Sequence, residues 1–325
     1  MESRKSIDVT AIGLMTVICL VWAMQQIGLK ATEDLAAPIY QIGIRSGIAA
    51  ACLFAVVALK GGTIPLTGRV ALLGVVAGGL FSLEFLLVGE ALRHTSAAHV
   101  VVFLYTAPIF AALGLHWHSP SERLSTLQWG GIALAGAGIV YAFLAPSGTP
   151  DEAVRWKSLL WGDGLATLAG AVWGLTTIVI RTTRLSAIPA TNVLFYQLAG
   201  AFVVLTGMAW STGQTQFSIS MPLIANLVFQ TAIVSLASFI AWFWMLTKYR
   251  ASQLGVFSFM TPIFGVLLGV VLLGEHLAQE FVTGACAVIT GIVIVSASPW
   301  LVQVIVSRLL PIVRNQFHQF TGRAL

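Results

Sequence analysis

LYTAPIFAALG (residues 104–114) and SFMTPIFGVLL (residues 258–268) are two copies of one short pattern, a Pro-Ile-Phe inside a long apolar run. The two prolines, Pro108 and Pro262, stand 154 positions apart. A proline inside a helix costs about 3 kcal/mol or more, so the same costly placement twice indicates a duplicated unit. The bend frees backbone carbonyls, which a polar cavity accepts and lipid does not. We therefore interpret both prolines as hinges beside a cavity, with a simple packing kink as the alternative.

The composition places the chain in a lipid bilayer. Of its 325 residues 58% are hydrophobic and only 9% are charged, and the mean hydropathy is +0.91. Soluble domains carry about 25% charged residues, so this chain could not cover a water-facing surface. The basic residues stand singly between apolar runs, without the clusters that bind nucleic acid. We therefore expect a membrane protein with no nucleic-acid partner.

Ten apolar runs are long enough to cross the membrane. A transmembrane helix needs roughly 20 apolar residues, whereas a membrane β-barrel would need short strands of alternating polarity. The runs are continuous and lie at 9–29, 36–59, 70–92, 97–116, 126–145, 159–180, 188–210, 222–247, 251–273 and 281–299. The predicted fold class is therefore an all-α integral membrane protein with ten transmembrane helices.

The basic residues indicate how the spans are oriented. With ten spans both termini lie on one side, and that side carries 12 of the 17 Lys and Arg residues. The opposite side carries 4, and Arg45 lies within a span. Because the cytoplasmic side is usually rich in Lys and Arg, we expect both termini in the cytoplasm of a bacterial cell, with the chain in the inner membrane. The tail after residue 300 is predicted to be an interfacial amphipathic helix.

The repetition at the prolines extends over most of the chain. At an offset of 151 residues Trp22 meets Trp173, and at an offset of 153 Gly131 meets Gly284. Each copy holds five spans, and because five is odd the second copy enters the membrane from the opposite face. The predicted units are a first five-helix repeat, an inverted second repeat and a tail, at 1–150, 151–300 and 301–325. Residues 145–157, with their Pro, Gly and acidic content, are predicted to be the linker. Inverted repeats place a substrate site near the midplane between the halves and permit alternating access.

Three longer stretches resemble the drug/metabolite transporter superfamily, in its EamA-type branch. They are TSAAHVVVFLYTAPIFAALG (95–114), SERL (121–124) and RASQLGVFSFMTPIFGVLLGVVLLGEHL (250–277). The resemblance covers nearly the whole chain, and the second half departs from it where Tyr196 stands at the position of Arg45. It implies a ten-helix carrier of small metabolites, often an exporter of amino acids or their relatives, and it does not identify the substrate.

Ionisable groups within the spans are the first candidates for a substrate site. Such groups cost about 2.5–3.5 kcal/mol at the bilayer centre and usually face a cavity. Glu84 is the deepest, and we interpret it as a site for a substrate amine or a proton, with a structural pair to Arg45 as the alternative. A histidine titrates near neutral pH, so His99 is a candidate for proton coupling, with a hydrogen-bonded core residue as the alternative. The repeat counterparts of Glu84 and His99 are Ser238 and Gln253.

Two helical faces each carry one aromatic and two polar side chains. These residues are Trp22, Gln25 and Gln26 in the first half and Trp173, Thr176 and Thr177 in the second. Positions i, i+3 and i+4 share a helical face, so we predict that the two sets form opposing walls of one cavity. Simple helix packing is the alternative. Trp242 is predicted to extend the aromatic wall or to join the interfacial belt.

Other classes of function find little support in the residues. No glycine-rich phosphate loop of the GxxxxGK type is present, and no cysteine or histidine spacing suits a metal, so we expect neither a metal nor a cofactor. We expect no enzymatic activity, and an intramembrane enzyme acting on lipid-linked substrates is the alternative from another class. A carrier for sugar phosphates or nucleotide sugars would need several buried cations, and only Arg45 lies well inside a span.

The sequence therefore predicts a secondary transporter that exports small metabolites such as amino acids or their derivatives, with the proton as a candidate coupling ion. Glycines four positions apart, such as Gly74 and Gly78, permit close helix packing. That packing could lie within the chain or join two chains in a homodimer.

Overall fold

The structure is a computed structural model that describes residues 8–118, 120, 123–142, 150–249 and 251–297, without the side chains of 150–155, 243, 246, 247 and 251–253. Within these ranges the chain is helical and contains no strand longer than one isolated bridge. The helices are α1 (Val9–Ala31), α2 (Pro38–Leu59), α3 (Gly68–His94), α4 (Ala97–Leu104), α5 (Ala107–His118), α6 (Thr126–Ala142), α7 (Pro150–Thr182), α8 (Ala190–Ser211), α9 (Met221–Val228), a π-helix (Phe229–Ser238), α10 (Phe239–Lys248), α11 (Ala251–Phe257), α12 (Met260–Leu273) and α13 (Gln279–Ala297).

These helices confirm the predicted all-α membrane fold. Nine helical segments of the described chain are long and apolar enough to cross a bilayer. The tenth span is α6, which has 17 residues up to the point where the described range stops. The spans are α1 to α3, α4 with α5, α6, α7, α8, α9 with α10, α11 with α12, and α13. The tail at 301–325 lies outside the described residues.

The predicted linker at 145–157 is wrong in its second part, because α7 already begins at Pro150. Proline suits the first turn of a helix, where its missing N–H is not needed. Asp151 and Glu152 follow directly, and acidic side chains stabilise the positive end of the helix dipole. Pro and acidic residues are common in loops, but they also suit the first turn of a helix, which is where they lie here.

The contact between α6 and α13 shows that the two halves are inverted. A Cβ on Gly131 would lie 2.8 Å from the backbone oxygen of Gly291, and a Cβ on Gly138 would lie 2.7 Å from that of Gly284. The helices therefore run antiparallel at backbone contact. Gly131 and Gly138 are the repeat counterparts of Gly284 and Gly291. Replacing each residue of one contact by its repeat counterpart therefore gives the other contact. Only a twofold axis perpendicular to both helices, and hence in the membrane plane, produces that exchange.

Each half also contains one broken span. The fourth span breaks at Tyr105 and Thr106, between α4 and α5, and the ninth breaks at Ser258 and Phe259, between α11 and α12. Pro108 and Pro262 fall in the first turn of the half-helix that follows each break, where proline causes no loss of a helical hydrogen bond. The prolines therefore mark where the second half-helix starts, and their hinge function stays a prediction.

The eighth span contains a π-helix of 10 residues, a conformation that occurs mostly as single turns at functional sites. Its repeat counterpart, α3, has 27 residues of regular α-helix, and the eighth span is one residue longer. Gln230, Ser235 and Ser238 of this π-helix are buried.

Candidate functional site

A central cavity lies where the two halves meet, near the midpoints of the spans. Eleven described residues line it, from α1, α3, α4 and the following bend in the first half and from α7 and α10 in the second. These residues are Trp22, Gln25, Gln26, Phe81, Glu84, Phe85, Val101, Leu104, Tyr105, Trp173 and Phe239. The cavity has a volume of about 100 Å³. The structure therefore brings together five of the predicted site residues, namely Trp22, Gln25, Gln26, Glu84 and Trp173.

Two of the polar side chains in this cavity have an unused acceptor atom. Glu84 is 5% exposed and Gln26 is 3% exposed. No described group donates a hydrogen bond to Glu84 Oε2 or to Gln26 Oε1. Buried polar atoms in native proteins are nearly always paired, so these two oxygens are available to a ligand.

The wall at Trp22 is held by residues of the eighth span. Trp22 Nε1 donates to Ser238 Oγ at 2.9 Å, and its ring packs edge-on against Trp242, with the ring centroids 5.6 Å apart. Neither Ser238 nor Trp242 lines the central cavity. Phe239 does, with its ring centroid 6.2 Å from that of Trp22. Ser238 and Trp242 therefore fix the orientation of the Trp22 indole.

The opposite wall is more aromatic and less polar than the sequence predicts. Trp173 packs edge-on against Tyr105, with the ring centroids 5.3 Å apart. The hydroxyls of Thr176 and Thr177 donate to backbone oxygens of their own helix, at 2.9 and 3.1 Å, and neither residue lines the cavity. The side chain of Gln253 lies outside the described residues.

A second cavity, which we call the vestibule, opens at the end of the bundle where α1 stops and α4 begins. Its volume is about 470 Å³, and its charged and histidine lining residues are Lys30, Arg93, His94, His99, Glu275, His276 and Glu280. His99 therefore does not share the central cavity with Glu84. Val101, two residues further along α4, lines the central cavity, so α4 separates the two cavities.

His99 joins the two halves of the molecule at the vestibule. Its Nδ1 lies 2.8 Å from Asp163 Oδ2, and Asp163 Oδ1 also accepts from the Thr95 hydroxyl at 2.7 Å. The His99 ring stacks on Phe281 with 3.6 Å between centroids and 8° between planes. Asp163 is 3% exposed. One buried carboxylate of α7 thus holds the start of α4, and the imidazole is packed against α13.

Comparison with known proteins decides the family. The model of the EamA-like transporter family matches this chain twice, over residues 9–144 and 160–297. This chain belongs to the EamA-like transporter family. It is therefore a multi-pass membrane transporter, and the double match agrees with one family unit in each half.

Relatives of this EamA-like transporter are full-length matches. An "Uncharacterized transporter" of Archaeoglobus fulgidus is 23% identical over 85% of this chain and 93% of its own length. The "Uncharacterized transporter YoaV" of Bacillus subtilis is 19% identical over 86% of this chain and 94% of its own length. A solved crystal structure, described only as that of a protein, superposes on 90% of this chain and 98% of its own with a TM-score of 0.60 and 18% identity. At that identity the likeness shows the fold alone.

Arg45 of this EamA-like transporter does not pair with Glu84. No ion pair within 4.0 Å joins them among the described residues. Arg45 Nη1 donates instead to Gln230 Oε1, and the guanidinium lies over the Phe85 ring, 5.1 Å from its centroid. Gln230 Nε2 in turn donates to the backbone oxygen of Gln25 at 2.8 Å. The π-helix thus connects Arg45 to the helix that carries the cavity glutamines.

Sequence reasoning missed six residues that line the central cavity, namely Phe81, Phe85, Val101, Leu104, Tyr105 and Phe239. It also did not select Asp163, which contacts His99 beside the vestibule. Phe81 and Phe85 stand at i−3 and i+1 from Glu84, and on a helix these positions share one face, so the signal was present. Asp163 lies near the start of the sixth apolar run, but α7 already begins at Pro150, and Asp163 is buried against Thr95 and His99.

The paired glycines of this EamA-like transporter pack inside the chain. Gly74 and Gly78 face Tyr196 on α8, and Gly174 faces Phe110 on α5. Gly265 faces Val101 on α4. Intramolecular packing therefore uses these glycines, and a homodimer stays a prediction. Within the described residues no group of three His, Cys, Asp or Glu side chains is placed to hold a metal.

Proposed function

We propose that this protein is a proton-coupled secondary exporter of small metabolites, such as amino acids or their derivatives, that works by alternating access. The observation that supports this most directly is the central cavity between inverted halves, with Glu84 and Gln26 each presenting an unused buried acceptor. Inverted-repeat carriers bind their substrate at such a position, and rocking of one half against the other opens it to each side in turn. The breaks before Pro108 and Pro262 are the proposed hinges.

The lining of the cavity disfavours phosphorylated substrates. No Lys or Arg lines it among the described residues, and a dianionic phosphate needs charged or bidentate partners. The volume of about 100 Å³ is also small beside the roughly 300–1,000 Å³ of typical ligand pockets. Both features favour a small substrate with donor groups over a nucleotide sugar.

Counterflow in proteoliposomes tests the carrier function. Vesicles that contain the purified protein are loaded with a mixture of amino acids and their decarboxylated amines, and uptake of each labelled compound is followed. A carrier accelerates uptake when the inside is loaded, whereas a channel does not. Glu84→Gln should abolish exchange while the protein still inserts, and Glu90→Gln is the matched control because Glu90 pairs with Arg93 outside the cavity. Normal exchange by Glu84→Gln would remove Glu84 from the site.

The proposed proton site is the pair of His99 and Asp163 at the vestibule. Its atoms lie 2.8 Å apart across the two halves, so a proton on the imidazole converts this contact into an ion pair between them. Asp163→Asn should abolish accumulation driven by a pH gradient and retain counterflow, which moves no net protons. Asp34→Asn, an exposed aspartate at the same end of the bundle, is the control. Unchanged gradient-driven accumulation by Asp163→Asn contradicts this assignment.

The proposed orientation places both termini in the cytoplasm of the inner membrane and the vestibule on the outside. Reporter tags after residue 325 and before residue 1 should then report the cytoplasm, and a tag at residue 151 the far side. The same experiment tests the division at residues 150 and 151, because a tag there must lie between two inserted five-helix units. A cytoplasmic signal from residue 151 would refute the orientation.

A further inference from the structure

Two polar side chains that face the central cavity each present a buried acceptor oxygen without a donor. Glu84 Oε2 and Gln26 Oε1 are both buried, and both lack a donor among the described residues. Leaving a buried acceptor unpaired costs about 1–3 kcal/mol, and more for a charged group. A ligand that supplies donor hydrogens to these two oxygens removes that cost, whereas a ligand that brings further acceptors does not.

Among the described residues, no positive charge is placed to receive a carboxylate in this cavity. Its described lining contains no Lys, Arg or His. The buried cation of the same region, Arg45, is not part of the lining, since it packs over the ring of Phe85 and donates to Gln230. Burying an ionised group without a partner is strongly unfavourable. A zwitterion would therefore satisfy Glu84 with its ammonium group and leave its carboxylate without a cationic partner.

The remaining wall suits a cation on an apolar body. Six of the eleven lining residues are aromatic. They form three adjacent ring pairs, with centroids 6.2, 5.3 and 4.7 Å apart. Aromatic faces attract cations, most strongly where water is excluded, and their area also buries apolar substrate surface. The rings and the two unused oxygens are independent observations, and both favour a cationic donor group on an apolar body.

We infer that the transported species is a primary amine on an aromatic or apolar body that lacks a free carboxylate, held by Glu84 and Gln26 against the aromatic walls. This inference rests on the proposed carrier function and narrows it. Of the candidates named there, it selects decarboxylated or otherwise carboxylate-free derivatives over the amino acids themselves.

Pairs of compounds that differ only in the carboxylate test the inference. The full-length protein in proteoliposomes is assayed for counterflow of labelled phenethylamine, with unlabelled phenethylamine or phenylalanine as competitor, and in parallel with tryptamine or tryptophan. Each amine should compete at least about tenfold better than its amino acid, since burying the carboxylate of the amino acid without a cationic partner costs that factor or more. Because Glu84→Gln is expected to abolish exchange, this variant is compared with Glu90→Gln by binding of the same pairs of compounds. Glu84→Gln should show no preference for the amine, and Glu90→Gln should keep it.

A binding measurement separates the failure of this inference from the failure of the carrier function. The tryptophans Trp22 and Trp173 line the cavity, so quenching of intrinsic fluorescence by phenethylamine reports occupation without any transport. Binding of phenethylamine that depends on Glu84 but without exchange would support the inferred ligand class and refute the carrier function. Exchange in which phenylalanine competes as well as phenethylamine overturns the inference and leaves the carrier intact. The inference is also overturned if neither counterflow nor fluorescence quenching shows an interaction with the amine that depends on Glu84.

Discussion

A single added methyl group at the contact of α6 with α13 should push these two helices apart and lower the free energy of unfolding. In Gly291→Ala the new Cβ would lie 2.4 Å from the backbone oxygen of Gly131 and 2.7 Å from the backbone nitrogen of Ala135. Ordinary van der Waals contact for a Cβ begins near 3.4 Å, so α6 and α13 must move apart by about 1 Å. The clash is with backbone, which no rotamer change relieves. Overpacking of this kind typically costs about 1–3 kcal/mol.

The matched control is Gly130→Ala, one residue away from the contact on α6. Apart from its own turn of helix, no atom of the described residues lies within 4 Å of a Cβ at that position. Replacing glycine in a helix by alanine there should be neutral or should stabilise by up to about 1 kcal/mol, because glycine loses more backbone entropy. Unfolding by SDS in mixed micelles measures both variants against the wild type. If Gly291→Ala is as stable as Gly130→Ala, the two helices do not meet at backbone distance and the inferred twofold axis is wrong.

Two further substitutions test individual contacts between the halves. Glu275→Ala should lower the free energy of unfolding by about 0.5–2 kcal/mol. The Glu275 carboxylate accepts from the backbone N–H groups of Ala97 and Ala98 at 2.7 and 3.1 Å and so caps α4. Glu280→Ala is the control, and equal stability of the two variants contradicts the cap. Gln230→Leu should lower the free energy of unfolding by about 1–3 kcal/mol because it removes the acceptor of Arg45. The adjacent Thr231→Val removes a buried hydroxyl that has no partner in the described chain and should be neutral or stabilising. The opposite ranking in the same unfolding assay would refute the contact.

The sequence predicts the scaffold well because membrane spans and repeats have strong local signals. Apolar length sets the ten spans, and the duplicated Pro-Ile-Phe and the glycines at 131 and 284 align the halves. The exact ends of the spans are harder to predict, as α7 shows, because a Pro followed by acidic residues suits both a loop and the first turn of a helix. Tertiary packing then decides between these two outcomes.

The site is only partly predictable because hydrogen-bond partners across the bundle are not encoded in helical spacing. Glu84, Gln26 and Trp22 are predictable, since a carboxylate or a polar stripe within a span usually faces a cavity or a polar partner. Repeat symmetry also places Thr177 on the cavity, yet a threonine hydroxyl can bond to the backbone oxygen four residues earlier. Depth in the membrane groups His99 with Glu84, although α4 places His99 on the vestibule.

One physical cause explains why the scaffold is predictable from the sequence and the site is predictable only in part. In a carrier made of inverted repeats, each half must adopt the conformation that the other half holds in the opposite state, so the contacts on which the halves move must be duplicated. The glycine contacts of α6 with α13 meet that requirement. A substrate in the central cavity touches both halves at once in either state, so its partners need not be duplicated. Glu84 can therefore correspond to Ser238 in the repeat, and Arg45 to Tyr196, without loss of the fold. Repeat symmetry is thus a sound guide to the helix contacts between the halves of this protein and a poor guide to the polar residues of its central cavity, which the unpaired buried atoms identify.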